Sequence, residues 1–199
     1  MPWISRWLKS IKVGDFEAEF RELKAVVEAT QNELDQLRLT YQEMEVDFIK
    51  SCKDFDPEAS STELNQLATN LKAKAKGLIS IDFIFKDLVN SSDEALIFGA
   101  ACALSVRPQF HAIDKILDLF LILSESPDMR GVRLKTIYRL LMALDEIIKL
   151  DYRNRKDLLT DEQRERIKDI LIKIKKHPKC LNDDTATYAN RIILKINKF

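Results

Sequence analysis

Hydrophobic residues recur along residues 16–55 at alternating steps of four and three: Phe16, Phe20, Leu23, Val27, Thr30, Leu34, Leu37, Tyr41, Met44, Phe48, Ser51 and Phe55. This is the a/d seam of a long helix that needs a partner along its length. Pro57 steers the residue before it away from helix and so closes the element. Ser60 and Glu63 then form an S-x-x-E capping box. It opens a second long helix with Leu64, Leu67, Leu71, Ala75, Leu78 and Phe85 on one face. Gly77 inside that run predicts a kink or break, at about 1 kcal/mol against Ala. With only a short loop around Pro57, an antiparallel hairpin over residues 15–90 is the simplest way to cover the seam. Leu34 and Leu37 are then core positions.

Upstream, residues 2–12 read as a short amphipathic helix, set apart as an N-terminal segment over residues 1–14. Trp3, Ile4, Trp7, Leu8 and Ile11 share one face, opposite Ser5, Arg6, Lys9 and Lys12, and Pro2 suits a first helical turn. Gly14 ends the segment and Asp15 can cap the next helix. Downstream of Asn90-Ser91-Ser92 the pattern shortens, and residues 91–199 read as a bundle of about five shorter helices. The first opens at Ser92 or Asp93 and ends near Arg107-Pro108, and another spans about Gln109 to Ser124. Asp128 caps a helix to about Leu150. A Thr160/Gln163 capping box opens one that stops at His177-Pro178, and Asp183 or Asp184 caps the last. The fold class expected is all-α.

Composition agrees: four glycines and five prolines in 199 residues starve hairpins of turn residues and favour helices. Lys plus Arg and Asp plus Glu are both 32, so net charge gives no whole-chain argument for nucleic acid. Its distribution is uneven. Residues 15–60 carry 13 acidic against 5 basic side chains, and residues 151–199 carry 13 basic against 8 acidic. The two regions either lie against each other or face separate partners. The three cysteines are odd in number and widely spaced, with no C-x-x-C pair, which predicts a reduced, cytoplasmic protein. No run approaches the ~18 apolar residues of a membrane span, and the N-terminus lacks a signal-peptide pattern.

Three helix openings are alike. They start at Asp93 (Asp-Glu-Ala-Leu-Ile-Phe-Gly-Ala-Ala-Cys-Ala-Leu), at Asp128 (Asp-Met-Arg-Gly-Val-Arg-Leu-Lys-Thr-Ile-Tyr-Arg-Leu) and at Asp184 (Asp-Thr-Ala-Thr-Tyr-Ala-Asn-Arg-Ile-Ile-Leu). Each is an aspartate cap followed by an amphipathic helix with small residues among large ones. Over residues 90–199 this resembles the helix openings of HEAT and armadillo-type repeats. The resemblance implies a stacked helical scaffold with a binding surface and assigns no catalytic residue. The spacings, about 35 and about 56 residues, depart from the fixed period of a true array.

Reactive chemistry has little to stand on. His111 and His177 are far apart, and no His/Cys/carboxylate spacing suits zinc. Cys102 sits among Ala100, Ala101, Ala103 and Leu104 as a small core residue, and a nucleophile would need His111 brought beside it. No glycine-rich phosphate loop, G-x-S-x-G or H-E-x-x-H occurs. Most carboxylate pairs fall at helix starts or linkers; Asp145/Glu146 is the exception, mid-helix. The reading is a non-enzymatic interaction or scaffold module, or a regulatory subunit, with no catalytic residue, cofactor or metal. Its candidate partner-binding residues are Trp3, Ile4, Trp7, Leu8 and Ile11, docking on the protein itself, a second copy or another protein. One alternative is a nucleic-acid accessory subunit using Arg153, Arg155, Lys156, Lys173, Lys175 and Lys176. Another is an adaptor peripheral to a membrane surface, with Trp3 and Trp7 meeting lipid beside Arg6, Lys9 and Lys12.

Overall fold

The computed structural model describes residues 13–86, 88–154 and 158–197, with residues 13–19 described by backbone alone. Among these residues the chain is all-helical, with eight α-helices, three short 3-10 turns and no strand. It divides into two compact units, residues 1–44 and 45–199.

Helix α1, Val13–Cys52, begins in the first unit and ends in the second. Its 40 residues contain no glycine after Gly14 and no proline, so nothing in the sequence interrupts it. Over residues 20–40 every described side chain is exposed, the apolar seam included. Leu34 and Leu37, expected in the core, lie on the surface instead. The heptad pattern correctly marks a face; it does not say what covers that face.

The second unit begins where the same helix dives into packing. Phe48 and Cys52 are fully buried, and Ser51 nearly so. Past the helix end the Phe55 ring meets Phe98 at 5.1 Å between centroids. Helix α2, Ser61–Gly77, starts on the expected reciprocal box: Ser60 Oγ accepts the Glu63 N–H and the Glu63 carboxylate accepts the Ser60 N–H. It stops at Gly77. The residues beyond form only the short helix α3, Asp82–Phe85, rather than a continuation carrying Phe85 on the same face. Lys74 of α2 pairs with Asp47 of α1.

Helix α4, Glu94–Val106, is the centre of the unit. Every side chain from Ile97 to Leu104 is buried, as a helix apolar on all sides requires. It packs against α2 and against α6, Leu134–Arg153. Further on, α6 packs on α8, Asp184–Asn197. The remaining helices α5, Ile113–Glu125, and α7, Asp161–Lys176, pack on each other, and α7 also meets α8. The run Gly99-Ala100-Ala101-Cys102-Ala103 keeps α4 thin, which sets how near its neighbours come.

Gly99 shows that closeness directly. A methyl group there would overlap Cys52 Sγ and sit 3.4 Å from Cys52 Cβ and 3.6 Å from the Phe48 ring. Ala is the better helix former by about 1 kcal/mol, but forcing a methyl into a filled core costs about 1–3 kcal/mol. Gly99→Ala should therefore lower the urea unfolding midpoint. Adding Cys52→Ala should recover most of the loss, since it removes the overlapping sulfur. An additive double mutant would show that the two residues do not share this contact.

The start of α6 differs from the sequence expectation. Asp128 does not cap it; its carboxylate accepts the Arg130 N–H and the Ser126 hydroxyl, holding a tight turn with Met129, Arg130 and Gly131 all at positive φ. The helix begins at Leu134, and Glu94 of α4 serves its end by accepting the Arg133 N–H (2.9 Å) and the Thr136 hydroxyl (2.6 Å). One carboxylate thus ties the openings of two neighbouring helices together.

Candidate functional site

The exposed face of α1 is the most conspicuous surface of the described residues. Phe20, Leu23, Val27, Leu34 and Leu37, all on the seam, are 44% to 68% exposed. Thr30, which interrupts the row, donates its hydroxyl to the Val26 carbonyl at 2.8 Å, so its polar atom is satisfied within the helix. Tyr41 and Met44 are half-buried, and Phe48 closes the row inside the second unit. On the flanks, Lys24 lies 3.8 Å from Glu28 and Arg38 3.8 Å from Asp35, both as exposed single contacts of little worth. At the base of α1, in the second unit, two apolar hollows of about 250 and 500 Å³ share Ile49 and Phe83 as walls.

The candidate partner residues Trp3, Ile4, Trp7, Leu8 and Ile11 lie outside the described residues, as do Arg155 and Lys156. The rest of the basic series is largely engaged within the chain. Arg164 reaches Asp151 at 2.8 Å, Arg166 reaches Asp118 at 2.5 Å and Asp114 at 3.3 Å, and Lys168 reaches Glu165 at 2.6 Å. Lys173 sits 3.6 Å from Glu125, Lys175 donates to Asn190 Oδ1 at 2.8 Å, and Lys179 donates to the Asp128 and Val132 carbonyls. Arg153 and Lys176 are exposed. These cations bind helices to one another more than they form a stripe facing outward.

The residues weighed for reactivity are dispersed. His111 pairs with Asp82 at 2.9 Å on the surface, an interaction that holds the Asp82 carboxyl below its ordinary range, and its ring lies 5.5 Å from that of Phe85. His177 is buried and bridges two turns. Its Nδ1 accepts the Lys179 N–H at 3.2 Å, and its Nε2 donates to the Ser126 carbonyl at 2.9 Å. Cys102 is fully buried, and burial pushes its thiol up to about 12. Burial, and then the neighbouring Cys102, pushes Cys52 up to about 12. Thiols so far from ionisation at neutral pH are poor nucleophiles. Among the described residues no group of three or more His, Cys, Asp or Glu side chains could hold a metal ion, and no helix is long and apolar enough to cross a membrane.

Two further polar assemblies lie elsewhere in the second unit. Asp145, the mid-helix carboxylate, is nearly fully buried in α6. It accepts from Lys195 Nζ at 2.5 and 2.7 Å and from the Tyr188 hydroxyl at 3.1 Å, with Lys149 at 3.4 Å. Burial, then Asp145, pushes the Tyr188 phenol well above its ordinary range. The second assembly is a cleft of about 570 Å³ where the starts of α2, α6 and α8 meet, lined by Arg133, Lys135, Tyr138 and Asp184 among others. Its charges are mostly spent on structure: Arg133 donates to the Ala59 carbonyl, and Asp183 accepts the Thr185 N–H. Both assemblies brace helices against one another.

Comparison with protein-family models, with curated proteins and with solved structures finds no match to this chain.

Proposed function

We propose that the chain is a non-enzymatic interaction module, a scaffold or regulatory subunit that works through helical surfaces. The observation that carries this reading is the row of exposed apolar residues along α1, from Phe20 through Leu37. Folded proteins seldom leave so continuous an apolar row in water unless something binds there. The second unit fits the supporting role. Alternate helices α2, α4, α6 and α8 pack in one row, with α5 on α7 beside it. That order favours a HEAT-like stack over a closed bundle. In this reading the hairpin of residues 15–90 is reduced to its base, where the last turns of α1 meet the bundle. Three free, buried cysteines favour a reducing, cytoplasmic setting.

The test is proximity labelling in the native host, comparing the full chain with a Leu23→Ser/Leu34→Ser variant. Both side chains are exposed and lie outside the second unit, so the variant should keep the parent's hydrogen-exchange protection in α4 and α6. The expected result is loss of the chain's specific neighbours. An unchanged neighbour set would overturn the assignment of function to this face.

A further inference from the structure

We propose that residues 20–44 of α1 pair with the same residues of a second copy, as a parallel, in-register two-stranded coiled coil. This rests on the reading of the α1 face as an interaction surface, and it names the occupant.

The seam sets the heptad register. Phe20, Val27, Leu34 and Tyr41 occupy a positions, and Leu23, Thr30, Leu37 and Met44 occupy d positions. Leu at d with Val among the a residues suits two strands. The open seam is about 36 Å long at 1.5 Å per residue, and spans the three to four heptads that sustain a coiled coil.

Charge decides which partner fits and how it runs. The flanking g positions are Glu19, Val26, Glu33 and Thr40, and the e positions are Lys24, Gln31, Arg38 and Glu45. In a parallel, in-register pair each g residue faces the e residue five positions later on the other chain. Glu33 then meets Arg38 of the second copy. Val26 meets Gln31 and Thr40 meets Glu45, which are neutral combinations. No facing pair is repulsive.

The antiparallel arrangement that matches a to d along the whole seam is centred near residue 32. It sets Glu33 against Glu33 and Lys24 against Arg38, both like-charge pairs. The acidic excess of this region does not oppose the parallel pair. Glu22, Glu28, Asp35 and Glu43 fall at b and c positions, away from the seam. Arg38 is held in its own chain by a long, exposed contact to Asp35, and can turn to the partner.

Light scattering on the purified full chain should give twice the 23.1 kDa chain mass. A monomer at tens of micromolar, or a trimer, would overturn the proposal. Leu34→Glu with Leu37→Glu should weaken association about hundredfold or more, while hydrogen-exchange protection of α4 and α6 persists. If that variant stays dimeric, association belongs to another surface and the proposal is wrong. Direction is read from Leu23→Cys treated with a short bismaleimide, the three native cysteines being buried. The parallel pair links the two introduced thiols. In the antiparallel pair they stand about 27 Å apart at 1.5 Å per residue, and a dimer that fails to link would overturn the parallel register. A monomeric parent whose Leu23→Ser/Leu34→Ser variant still loses its cellular neighbours would defeat self-pairing and leave the proposed function standing.

Discussion

Asp151→Ala is expected to lower unfolding stability by about 3–5 kcal/mol, a range set by removing one partner from a buried charged pair. Asp151 is the last buried residue of α6 and is 1% exposed. One carboxylate oxygen accepts the N–H groups of Leu158 at 3.0 Å and Leu159 at 2.9 Å, and the other accepts Arg164 Nη2 at 2.8 Å. A single side chain therefore ends one helix, holds the following loop and seats the first turns of α7. With Asp151 gone, two backbone donors lose their acceptor, and a mostly buried guanidinium loses the carboxylate it donates to while keeping the Leu159 carbonyl at 3.1 Å. Asp151→Asn should also be damaging, because its amide group would turn a donor toward Arg164 or toward the backbone N–H groups. Urea unfolding measures the loss, and hydrogen exchange at Leu158 and Leu159 locates it. Arg164→Met added to Asp151→Ala should restore part of the stability by removing the buried cation that Asp151 balances. A loss below about 1 kcal/mol in the single variant would mean that the loop finds other acceptors.

The parts of this fold that were legible in the sequence are those specified by neighbours in the chain. The Ser60/Glu63 and Thr160/Gln163 boxes form as read, because a cap needs only the residues three positions away. The helix stop at Lys176 before His177-Pro178 and the buried stripe Ile167, Ile170, Leu171 and Ile174 are equally local. What was not legible depends on distant partners. Glu94 replaces Asp128 at the start of α6 across a separation of 39 residues, and no spacing rule could find it. Gly99 reads as a weak spot in a helix until Cys52 and Phe48 are seen against it.

The candidate site divides in the same way. The heptad seam was visible as a pattern, since periodicity identifies which residues share a face. The pattern cannot distinguish a partner within the chain from one outside it, which is why Leu34 and Leu37 were expected in a core. The basic residues from Arg164 to Lys179 illustrate the converse. Counted along the sequence they resemble a patch; in three dimensions Asp114 and Asp118 meet Arg166, Glu125 meets Lys173 and Asp151 meets Arg164. A charge run gains meaning for nucleic acid only after such internal partners are removed from it.

Asp145→Ala should cost about 2–4 kcal/mol and loosen the C-terminal helix first. Asp145 lies in α6 and is held mainly from α8, where Lys195 reaches both carboxylate oxygens and Tyr188 reaches one. The Tyr188 ring also stacks at 5.0 Å from Tyr138, so this carboxylate anchors one wall of the last helix pair. The loss should be smaller than at Asp151 for a structural reason. The Lys195 and Lys149 side chains keep 27% and 38% exposure, so both ammonium groups can turn to water once the carboxylate is removed, whereas Arg164 has less room to do so. The Tyr188 hydroxyl would be left without its acceptor. Asp145→Asn should then fall between wild type and Asp145→Ala, because an amide oxygen still accepts from Tyr188 while the charge that holds Lys195 is lost. Hydrogen exchange along α8 should rise in both variants before that of α4 changes. Equal destabilisation by Ala and Asn would assign the whole effect to the lysine pair and none to the tyrosine, and unchanged protection of α8 would show that apolar contacts at Ala189, Ile192 and Ile196 alone hold that helix in place.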